Sequence, residues 1–302
     1  MKPRLSPCSS PRRMGVDSQP AGSGSAGSRL DQGLQERRPL LADPLPLFGF
    51  FSRLPVGSAA VEDVAAAFHL VPLVGWLSGG LGSLLLWVAW SFLPAEALAA
   101  VVLAFLVGLT GLNQTDGLLD LGDGLMVHGA ADTRRQVMRD HVVGAGGVGL
   151  GLFTYLVSFA CLTGVLRLAP RLGAERGVSA VYVMAGVVIL SEVGARLPYL
   201  ILARWGRPSH SGLGEMFMRG FSSRHLAVGV VCALPLMGLV VVLGWLPVAL
   251  GLGAAAGTAA ALLRVAHRHL DGVGGDVFGA SQELARATIL LAAVGALGVV
   301  VS

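Results

Sequence analysis

Three aspartates set the chemistry of this chain. In GLNQTDGLLDLGDG, residues 111–124, Asp116, Asp120 and Asp123 stand at i, i+4 and i+7. On a helix all three carboxylates would share one face. Like charges so placed repel, and a hard divalent cation gives a reason to keep them together. Mg²⁺ prefers carboxylate oxygens and bridges them to substrate phosphates. Two such ions can hold the attacking and leaving oxygens of an in-line phosphoryl transfer. Gly117, Gly122 and Gly124 weaken a helix but would let a bulky phosphate approach the backbone. A solvated acidic helix start, favoured by the macrodipole, would account for one or two aspartates in a first turn. It would not account for three on one stripe with glycines between them.

Two further segments belong beside these acids. Residues 131–147, ADTRRQVMRDHVVGAGG, supply Arg134, Arg135, Arg139, Asp140 and His141. The planar guanidinium fork matches phosphate, although the same arginines would also serve as headgroup anchors. Residues 271–283, DGVGGDVFGASQE, form a second Gly-rich acidic stretch with Asp271, Asp276 and Glu283. Asp276 and Glu283 share a face if that stretch is helical. Glu192 and Arg196 lie i, i+4 within an apolar run; they are either functional or a self-neutralised pair lining a bundle. The seven histidines show no zinc spacing, and His141 is the one expected near the acids. Cys8, Cys161 and Cys232 are scattered singly, without disulfide or metal spacing.

The elements that must position these groups are membrane helices. Of 302 residues, 54% are hydrophobic and 13% charged, and mean hydropathy is +0.70. Soluble domains carry about 25% charged residues. A soluble enzyme, a disordered chain and a disulfide scaffold are therefore excluded. An all-α polytopic membrane bundle remains. Apolar runs near 68–92, 97–112, 142–168, 178–203, 226–243, 247–266 and 286–301 give about seven spans, the second and last extending into their flanks. Runs such as GLGSLLL and GVGLGLF would let helix backbones approach closely. Residues 1–45 are rich in Ser, Pro, Gly and Arg and are expected to be a disordered extension, leaving 46–302 as one membrane-embedded catalytic domain. PLPLFGFFSRLPV, residues 44–56, suits a short interfacial segment. The net charge of +4 does not indicate nucleic acid, because the basic residues lack aromatic interleaving. With the N-terminus inside, 18 of the 22 Lys and Arg fall on the cytoplasmic side, together with the three longest polar loops.

At these residues the chain resembles the cobalamin synthase family, the adenosylcobinamide-GDP ribazoletransferases. FFSRLPV (50–56) resembles an FxTRxP opening, with Ser52 at the usual Thr. TDGLLDLGDG (115–124) is similar to D-G-L-x-D-x-x-D-G, and Asp116, Asp120 and Asp123 fall on its acids. VMRDHVVGAGGVGL (137–150) resembles MKDSxxGxxG through Arg139, Asp140, Gly144 and Gly147. SGLGEMF (211–217) resembles a short GLG segment, and GGDVFGASQEL (274–284) a G-D-x-x-G-A-x-x-E block carrying Asp276, Gly279, Ala280 and Glu283. The chain departs from the family at Gln114, where many members have His, and at Glu192, where many have Arg.

The resemblance implies a Mg²⁺-dependent enzyme of the cell membrane that transfers the cobinamide phosphate of adenosylcobinamide-GDP to α-ribazole or its 5′-phosphate, releasing GMP. It implies that Asp116, Asp120 and Asp123 hold Mg²⁺ on the diphosphate. Asp140 or Asp276 would complete the metal shell or orient the hydroxyl, and Arg139 would screen the leaving group. Gly117, Gly124, Arg135, Gly144, Asp276 and Glu283 would surround the substrates. A CDP-alcohol phosphotransferase is the nearest rival, but Asp120-Leu121 stands where its pattern requires Ala-Arg. A secondary transporter using Glu192 and Arg196 is a second rival, and no internal repeat supports it.

Overall fold

The computed structural model describes residues 39–57, 60–140 and 142–301. The expected disordered arm lies outside them up to residue 38, and so does His141. Helices α1 (Leu45–Phe51), α2 (Val61–Ala67), α3 (Pro72–Ala89), α4 (Ala95–Leu109) and α5 (Asn113–Met126) are followed by α6 (Ala131–Met138), α7 (Ala145–Arg176), α8 (Ala180–Gly194), α9 (Leu197–Trp205) and α10 (Leu213–Met218). Then come α11 (Ser223–Ala233), α12 (Val240–Leu243), α13 (Trp245–His269) and α14 (Gly275–Val301). The chain is all-α: among the described residues no strand forms beyond an isolated bridge. Six helical runs are long and apolar enough to cross a membrane, and α4 with α5 makes a seventh if that bent pair is one span. The last run extends back to Gly275, so Asp276 and Glu283 of the second acidic stretch lie in the first turns of that helix, while Asp271 precedes it.

The bend between α4 and α5 turns the acid stripe away from the run that precedes it. Gly111 and Leu112 both adopt left-handed backbone, φ +69° and +65°, and the chain turns by 92°. The Arg53 N–H donates to the Leu109 carbonyl at 2.7 Å. A Cβ on Gly111 would stand 2.6 Å from Arg53 Cδ, so glycine serves there both for its φ and for the side chain packed over it.

Missing side chains also set the helix packing. A Cβ on Gly75 of α3 would lie 2.7 Å from the Val193 Cα of α8. One on Gly122 would lie 2.6 Å from the Gly146 carbonyl oxygen. These are the close backbone approaches that small residues allow between membrane helices. Gly75→Val is expected to destabilise the bundle by about 1–3 kcal/mol through overpacking, read as a lower melting temperature in detergent.

Segment 44–56, expected at the interface, turns part of its apolar face to the protein. Leu47 and Phe51 of α1 are buried in a second apolar cluster with Phe68, Tyr199, Phe217 and Phe278. The reason is the supply of partner rings: Phe68 stacks on Phe217 at 4.2 Å, and Phe278 meets Phe217 edge-on at 5.7 Å.

The charges within the spans are shared differently from the i, i+4 reading. Glu192 accepts from Arg286 Nε at 2.6 Å and from Ser78 Oγ at 2.7 Å. Arg286 also pairs with Glu283. Arg196 donates no side-chain hydrogen bond and stands over the rings of Phe51 and Tyr199, 5.6 and 5.7 Å from their centroids. Glu192, Glu283 and Arg286 are all buried, so Arg286, counted with the loop charges from sequence, belongs to the interior.

Candidate active site

The acids gather where α5 crosses the start of α14. The contact is backbone to backbone: a Cβ on Gly117 would lie 2.7 Å from the Asp276 carbonyl oxygen, and one on Gly279 3.3 Å from the Gln114 Cα. The space at Gly117 is thus taken by helix α14, and that at Gly124 by the Met138 side chain; neither is left open for a phosphate. Asp116 is exposed, Asp120 half-buried and Asp276 half-buried. Asp120 feels the charges of Asp276, Asp116 and Asp123 together.

Asp123 is engaged elsewhere. Its two oxygens accept the backbone N–H groups of Gly144, at 2.7 Å, and Gly147, at 2.8 Å. A carboxylate at the first turn of α7 satisfies donors that the helix cannot pair itself and complements its dipole. Gly144 and Gly147 therefore meet a carboxylate rather than a substrate. Asp123→Ala leaves the buried Gly147 N–H and the half-buried Gly144 N–H without acceptors and is expected to cost about 1–3 kcal/mol of stability, measurable by thermal unfolding in detergent.

The arginines of α6 divide their work. Arg134 Nη1 donates to the carbonyls of Gly124 and Leu125, both at 3.0 Å, closing the C-terminus of α5. Arg135 pairs with Asp132 and donates to the Leu270 carbonyl at 2.8 Å. Arg139 is exposed and acts on Asp276 as an opposing charge. Asp140 is exposed, accepts the Val142 N–H at 3.3 Å and lines neither cavity described below. Glu283 is likewise outside both linings, in its pair with Arg286.

Two cavities meet at Asp276, which lines both. The first, about 220 Å³, is basic: Arg135, Arg139, Ser209 and His210 form much of its wall. Its loops are pinned to one another, Val273 N–H to the Arg207 carbonyl at 2.7 Å and Ser209 N–H to Val273 at 3.3 Å. Burial, then the charges of Arg139 and Arg135, hold the His210 imidazole below its usual pKa. The second cavity, about 350 Å³, is lined by Phe50, Phe51, Tyr199, Phe217 and Phe278, with Gln114 and Asp116 beside Asp276. Among the described residues no three His, Cys, Asp or Glu side chains form a group that could hold a metal ion by themselves. Ser209, His210 and the aromatic walls are absent from the sequence-derived site residues, although the FFSRLPV, GLG and GGDVFGASQEL segments carry or flank them.

This geometry, an acid cluster whose Asp276 lines both a basic and an aromatic cavity, can be set against known sequences. A profile of cobalamin-5-phosphate synthase matches residues 44–294. The chain belongs to the cobalamin-5-phosphate synthase family. Among relatives of this family, the adenosylcobinamide-GDP ribazoletransferase of Halorubrum lacusprofundi is 38% identical, over 82% of this chain and 94% of its own length. The enzyme of the same name from Methanosarcina mazei is 30% identical over 81% and 88%, and that of Haloquadratum walsbyi 33% over 82% and 94%. No solved structure matches. The family match spans α1 to most of α14, so every residue of both cavities falls within it.

Proposed function

We propose that residues 46–302 are the catalytic unit of a membrane-embedded adenosylcobinamide-GDP ribazoletransferase, with its acid cluster and N-terminus at the cytoplasmic face of the cell membrane. A ribose hydroxyl of α-ribazole, or of its 5′-phosphate, attacks the cobinamide-side phosphorus. The new P–O bond forms as the bond to the GMP oxygen breaks, and GMP departs with that electron pair. Asp276 takes the hydroxyl proton, and Arg139 offsets charge on the departing GMP. The observation that carries this reading is the place of Asp276 on the wall shared by a basic and an aromatic cavity. A group there can touch both the acceptor and the diphosphate, which is the positioning that phosphoryl transfer demands.

The donor set suits Mg²⁺. Asp116, Asp120 and Asp276 offer hard oxygens that crowd one another, and Mg²⁺ is usually bound by one or two carboxylates plus substrate phosphates rather than by a protein cage. Asp116 and Asp120 would hold the ion, with Asp276 beside them, while Asp123 keeps α7 in place. Bound Mg²⁺ would neutralise the diphosphate as charge moves to the leaving oxygen.

The test is product analysis by mass spectrometry on the full chain in lipid vesicles, given adenosylcobinamide-GDP and α-ribazole with and without EDTA. The expected result is adenosylcobalamin and GMP in equal amounts, abolished by EDTA. Intact substrates after incubation with Mg²⁺ would refute the assignment.

A further inference from the structure

The aromatic cavity has a wall chemistry that its neighbour lacks. No Lys, Arg or His lines it. Phe50, Phe51 and Phe217 present rings within 4.9–6.3 Å of one another. Phe51 and Tyr199 are backed by the Arg196 guanidinium, which fixes these rings as a rigid wall. One polar side chain of the lining stands out for its burial, with its amide beside the Tyr199 hydroxyl. Gln114 is 3% exposed, and its Oε1 accepts no hydrogen bond. A buried acceptor without a donor costs stability unless a ligand supplies the donor.

We propose that this cavity seats the acceptor nucleoside, its planar uncharged base against the rings of Phe50, Phe51 and Phe217 and a sugar hydroxyl donating to Gln114 Oε1. The inference rests on the transfer reading above and assigns its acceptor a place. A benzimidazole-type base has broad apolar faces and no hydrogen-bond donor on its ring, which suits walls of this kind. The guanosine diphosphate end is anionic, and a lining that holds Asp116 and Asp276 without a cationic side chain offers its phosphates no counter-charge. The guanosine diphosphate end therefore falls to the basic cavity, where Arg135 and Arg139 stand. The two cavities then present acceptor and donor to opposite sides of Asp276.

The experiment uses the detergent-solubilised full chain and two readouts. Equilibrium dialysis with α-ribazole alone gives its Kd, and initial rates give KM for each substrate. Phe50→Leu and Gln114→Leu are expected to weaken α-ribazole about tenfold in Kd and KM, while KM for adenosylcobinamide-GDP stays within about twofold. Phe50→Tyr keeps the ring and should restore binding, which separates a lost contact from a misfolded chain. Arg139→Gln should do the reverse, raising the adenosylcobinamide-GDP KM alone. The proposal is overturned if the Phe50 and Gln114 variants raise only the adenosylcobinamide-GDP KM, if they shift both substrates equally or neither, or if wild-type protein binds no α-ribazole. Wild-type protein that binds α-ribazole in this ring-dependent way yet yields no product would uphold the cavity and refute the transfer reading.

Discussion

Asp276→Asn is expected to lower kcat by about 10²–10⁴-fold, the range for removing a positioned acid–base group, with little change in either KM. The substitution is nearly isosteric, so the contact of α14 with Gly117 is kept, and with it the register of the acid cluster. What is lost is the negative charge on the wall between the two cavities. Binding energy drawn from the aromatic rings and from Arg139 is untouched, so the deficit should appear in turnover rather than affinity. Steady-state kinetics in vesicles would check this. A variant with wild-type kcat would remove Asp276 from the reaction.

The largest effect on stability is expected at Arg286. This side chain is the shared partner of Glu192 and Glu283, and all three are buried. Arg286→Met leaves two carboxylates uncompensated in the interior, a change that typically costs about 3–5 kcal/mol. That is enough to deplete folded protein from the membrane. Adding Glu192→Gln and Glu283→Gln to the same chain should recover much of the loss, since the penalty comes from orphaned charge rather than from shape. Thermal melts followed by size-exclusion chromatography in detergent would decide it: equal stability of Arg286→Met and wild type would contradict the assigned role.

The fold was legible because composition and apolar run length report membrane helices directly. The acid stripe was legible because i, i+4, i+7 spacing survives into α5. Packing partners were not. Asp123 shares the stripe with Asp116 and Asp120, yet only three-dimensional placement brings the first turn of α7 to its carboxylate. The glycines read as room for phosphate proved to be seams between helices, because a local sequence does not reveal which backbone will lie across it. Spacing leaves Glu192 and Arg196 as either functional charges or a self-neutralised i, i+4 pair, whereas the ion pair of Glu192 comes from Arg286, 94 positions away. The ring that Phe50 and Phe51 both meet, Phe217, is distant in sequence, so their packing is not legible locally.

The central claim is that Asp116 and Asp120, beside Asp276, carry the divalent ion that meets the diphosphate, whereas Asp123 holds the scaffold. The most direct measurement is the Mg²⁺ concentration for half-maximal turnover in wild type, Asp116→Asn and Asp123→Asn. The account predicts a requirement raised about tenfold or more by Asp116→Asn, in line with the loss of a charged ligand, and unchanged by Asp123→Asn in whatever fraction remains folded. An identical Mg²⁺ requirement in all three proteins, or a shift produced by Asp123→Asn alone, would contradict it.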